Sequence, residues 1–179
     1  MVHFTGPKDI AQALRSDDKR LVSAALGQLT EHFYRKNTAD GRVEIVDALV
    51  TLVKKRGHEN PAYESLEGLE ALHSFFNFDK CVTPKYDQTA YADFLADVAS
   101  KNESHGDVKV RAIRQLWSAY ELKLIDKETV TEKLRDIATK LEKIAGGEHA
   151  FRIEIGMVDG LLKHLGEAAR PISAPRHRP

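Results

Sequence analysis

Apolar residues recur at helical spacing along almost the whole chain, while the strict alternation of a half-buried strand is hard to find. That property alone confines the 179 residues to an all-α class. Composition agrees where it bears on the point: 11 glycines and 6 prolines are too few for a turn-rich all-β fold. With 42% hydrophobic and 30% charged residues the chain has the means to build a core and is not of a disordered class. Its 27 basic and 27 acidic side chains balance to a formal net charge of zero. A protein organised around non-specific nucleic-acid or anionic-membrane binding needs an excess of Lys and Arg, so both are disfavoured. No run of 18 apolar residues predicts a membrane span, and MVHFTGPKDI lacks the basic-then-apolar pattern of a secretory start. The single cysteine, Cys81, leaves no intramolecular disulfide to form and suits a reducing, cytoplasmic setting.

Eight helices follow from the spacing. A short one starts after Pro7, with Ile10, Ala13 and Leu14 inward, and a longer one follows Asp17 or Asp18, either of which can cap its amides. Residues 36–41 read as a loop. The third helix, about 42–56, is apolar through its middle and should be buried on two sides, stopping at Arg56-Gly57. Asn60-Pro61 is expected to begin the fourth, with Leu66, Leu69, Leu72 and Phe76 on its stripe. A loop spans Asn77–Asp87. Further helices are predicted over about 88–100, 107–124, Lys127 to Gly146 (capped by Asp126, with Ile144 closing its stripe) and 149–166. The expected organisation is one helical domain over 1–168 and a disordered Pro/Arg-rich tail over 169–179.

Helices in such a row fit either a bundle or a solenoid, and internal spacing separates the two. Val22, Leu26, Leu29 and Phe33 align with Ala62, Leu66, Leu69 and His73 at a shift of 40 residues. Shifts of 47 and then 42 give Lys109, Ile113, Leu116 and Tyr120, then Phe151, Ile155, Val158 and Leu162. All the later positions are apolar or aromatic except His73 and Lys109. The segments DIAQALRSDDKRLVSAALGQL and HGDVKVRAIRQLWSAY resemble HEAT-repeat (armadillo-type) proteins, each with an Asp before a charged, Val-containing first turn. The resemblance implies a right-handed α-α superhelix of about four helical hairpins, in which Asp18 with Arg20, and Asp107 with Lys109 or Arg111, would be partial copies of an inter-repeat ladder. The second and fourth units lack that signature. An irregular helical bundle is the alternative.

Catalysis has no constellation to stand on. None of the eight histidines has another one turn away, so no helical zinc pair forms, and no metal or cofactor is expected. His73, between Leu69 and Phe76, reads as a core histidine satisfied by a backbone carbonyl. Cys81 beside Lys80 lacks a nearby base, and Gly146-Gly147 is not followed by the Lys-Ser/Thr of a phosphate loop. The expected protein is not an enzyme. Trp117 with Arg111, Arg114 and Asp107 also resembles the base-holding set of HEAT-like DNA glycosylases, although Trp117 falls on the apolar stripe.

Charge is segregated. Glu59, Glu64, Glu67, Glu70 and Asp79 run without a Lys or Arg between them, whereas Lys109, Arg111, Arg114 and Lys123 dominate 107–124. In the repeat reading these bands lie on second helices that share a concave face and can orient a partner. Phe75, Phe76 and Phe78 cannot all face inward on a helix turning about 100° per residue. Either a neighbour such as Tyr86 covers the outward ring or it serves as an anchor. The function expected is therefore a protein–protein interaction module, a scaffold, adaptor or small inhibitor. Its partner surface would comprise Glu67, Glu70, Arg111, Arg114, Phe75 and Phe78. The expected protein is a monomer or weak homo-oligomer, off the membrane and without nucleic acid. A nucleic-acid-binding protein of the base-excision kind is the alternative.

Overall fold

The computed structural model describes residues 3–35, 39–78, 86–146 and 150–167. They form α1 (Pro7–Leu14), α2 (Lys19–Arg35), α3 (Ala39–Arg56), α4 (Tyr63–His73), α5 (Gln88–Ser100), α6 (Gly106–Glu121), α7 (Lys127–Ala145) and α8 (Arg152–His164). A π-helical turn, Ser74–Phe78, continues α4, and there is no strand among the described residues. The all-α class read from periodicity is the class the chain adopts. Two compact units divide it, Met1–Tyr91 and Ala92–Pro179.

In the first unit α1 packs on α2 and α3, α3 on α4, and α2 on α4. The apolar middle of α3 is accordingly buried on both sides, through Ile45, Val46, Leu49, Leu52 and Val53. Gly68 lets α4 close on α3, since a Cβ there would stand 3.2 Å from Val53 Cγ2. Asp18 caps the first turn of α2, its Oδ1 accepting from the Arg20 amide at 2.8 Å. Three local expectations need correction. Ala39–Gly41 belong to α3 and not to a loop. Helix α4 begins at Tyr63 with Ala62 at the cap position, and Asn60-Pro61 lies in the preceding turn. Phe75 and Phe76 both point into the core, because the wider π turn carries the chain on past the end of α4. Phe76 stacks on Tyr91 with ring centroids 4.2 Å apart.

In the second unit α7 packs on α8 and α6, and α6 on α8. Val108, Ile113, Leu116, Leu134, Ile137 and Val158 are fully buried there. Asp126 caps α7, its Oδ1 accepting from the Thr129 amide at 2.8 Å. The helix ends at Gly146, whose φ of 59° is the left-handed conformation that favours glycine. Ile144, expected on the inner stripe, is 41% exposed, one turn past the last buried residue, Leu141. Helix α8 starts at Arg152 and not at 149, behind Phe151 in a left-handed cap (φ 61°). Residues 169–179, expected as a disordered tail, lie outside the described residues.

Candidate functional site

The exposed charge of the second helices is built from helical registry. Glu67 and Glu70, three residues apart on α4, share its outer face and are both exposed. Arg111 and Arg114 stand likewise three apart on α6, Arg114 exposed and Arg111 half-buried. Each pair is brought together on its own helix, the acidic one in the first unit and the basic one in the second. The expected aromatic anchors are not available in the same way. Phe75 is buried at 2% exposure, so it serves the core, and the side chain of Phe78 lies outside the described residues, as does Cys81.

Trp117 takes the place left by those rings. Its position on the α6 stripe suggested a core residue, yet it is only half-buried, on the flank between the buried and exposed faces. Its ring lies 5.2 Å from that of Tyr120 and 5.6 Å from the exposed His164 of α8, the latter edge-on. With Arg114 three residues earlier, one surface of the second unit joins an aromatic cluster to a cation. The signal was present in the sequence: Trp117 sits three residues from both Arg114 and Tyr120, a spacing compatible with a shared outer flank.

Among the described residues four charged side chains are buried, Arg56 and Glu64 in the first unit and Lys109 and Glu154 in the second, and the two cations tie elements of the fold together. Lys109 is 1% exposed, at a position where the aligned helices carry apolar residues. Its ammonium donates to the Lys101 carbonyl and reaches that of Asn102 at 3.5 Å, just past the end of α5, where a cation also meets the negative end of the helix dipole. The Phe151 ring lies 5.1 Å from it. Burial lowers the Lys109 pKa, and the carboxylates of Glu154 and Glu103 oppose that shift. Arg56, 4% exposed, donates to the Asp17 carbonyl at 2.9 Å and the Ser16 carbonyl at 3.2 Å, so α3 grips the α1–α2 turn. Its Nη1 lies 3.7 Å from Glu59 and 3.8 Å from Glu64. Glu59 in turn accepts from Lys19 at 2.6 Å.

No protein-family model, curated protein or solved structure matches this chain. His73 is half-buried, and burial pushes its imidazole below the ordinary histidine pKa, in keeping with a structural position on α4. Among the described residues, no group of three or more His, Cys, Asp and Glu side chains is placed to hold a metal ion. A depression of about 740 Å³ at the start of α1 is lined by Thr5, Lys8, Asp9 and Glu44, where Thr5 Oγ1 already donates to Asp9. No helix among the described residues is long and apolar enough to cross a membrane.

Proposed function

We propose that this protein is a non-enzymatic protein–protein interaction module, a scaffold, adaptor or small inhibitor, built as a right-handed HEAT-like stack of about four helical hairpins. Support for the stack comes from the first unit, where α1 meets α2, α3 meets α4, and like helices of the two pairs also meet. That is the contact set of two stacked hairpins. The observation that carries the function is the segregation of charge between α4 and α6: Glu67 and Glu70 are exposed on the first, and the half-buried Arg111 and exposed Arg114 stand on the second. Charge of one sign gathered along a helix steers and orients a partner of matching polarity, acting on association rate and specificity more than on affinity. The single cysteine fits work in a reducing cytoplasm.

Affinity capture from native lysate tests this reading, comparing the wild type with a variant carrying Glu67→Lys, Glu70→Lys, Arg111→Glu and Arg114→Glu. A protein recovered by the wild type and lost by the folded variant is the expected outcome. Equal recovery by both forms removes these faces from the interface, and recovery of no protein removes the module itself. The half-exposed Trp117 beside Arg114 favours one second reading, a nucleic-acid-binding protein of the base-excision kind, which predicts salt-dependent DNA binding abolished by reversal of Arg111 and Arg114.

A further inference from the structure

We draw no further inference here: the strongest candidate, the half-exposed Trp117–Tyr120–His164 cluster on the flank shared by α6 and α8, lies on a face of mixed charge, and nothing in the structure shows what covers it.

Discussion

Lys109 occupies a core position without being a core residue. Removing its ammonium leaves the Lys101 and Asn102 carbonyls and the 7%-exposed Glu154 without their buried cation. Truncation to Ala should therefore cost about 3–5 kcal/mol, since it strands buried polar partners as well as opening a cavity. Lys109→Met keeps the volume of the stem and should lose less, a difference that urea denaturation followed by circular dichroism resolves. Titration gives a second check at this scale. The Lys109 pKa is lowered by burial, so the unfolded chain holds that proton more tightly, and its contribution to stability grows as pH rises toward 10.5. The carboxylates run the other way. Hydrogen bonds from Lys19 to Glu59 and from the Thr129 amide to Asp126 hold both below their ordinary values of 4.5 and 3.8. Their stabilisation is present above those values and is lost as pH falls through them toward the lower folded pKa values. Unfolding midpoints measured against pH should drop in that acid range, and Asp126→Asn, which retains a capping oxygen without a titrating proton, should flatten part of the drop.

Glycine separates two kinds of helix surface. At Gly68 a new side chain meets Val53 and Leu52, both buried, whereas at Gly160 it meets open space. Gly160→Ala should stabilise the chain by about 0.5–1 kcal/mol through helix propensity, while Gly68→Leu should destabilise it by about 1–3 kcal/mol or more through overpacking. Thermal unfolding of the two variants should move in opposite directions. Helices such as α5 and α7 were legible in the sequence because period and caps agree there: Asp126 opens α7 and Gly146 closes it. Ends that rest on tertiary geometry were not. The π turn Ser74–Phe78 carries the chain past the end of α4, and α8 starts only after Phe151, whose backbone is left-handed. Neither leaves a local signature: SFFNF has no proline or glycine to mark the turn, and nothing in a phenylalanine announces a left-handed cap.

Across the whole molecule, balanced charge with segregated bands means that steering is local. Association with a partner should slow as salt rises from about 0.05 to 0.5 M while dissociation changes less, because screening acts on the encounter. Stopped-flow measurement on the captured partner separates the two rates. Balance has another cost: with a sequence pI of about 7.1, solubility should be lowest near neutral pH, where self-repulsion is weakest. The charged part of the candidate surface, Glu67, Glu70, Arg111 and Arg114, could be read from sequence because exposed helix faces follow registry. Its aromatic part was legible only as a spacing, Trp117 three residues from both Arg114 and Tyr120, since which of Phe75 and Trp117 turns inward depends on the helix that lies alongside.

The ammonium that crosses from α6 to the end of α5 also decides where this chain tolerates being opened. A break between Lys101 and Gly106 would leave two carbonyls on one fragment and their cation on the other, still clasped within the core. The α6–α7 turn is the freer joint: Leu122 is 45% exposed and Lys123 takes a left-handed φ of 58° that a glycine would adopt without strain. A fluorophore-bearing loop or a circularly permuted terminus belongs at that second corner, where no buried charge spans the cut.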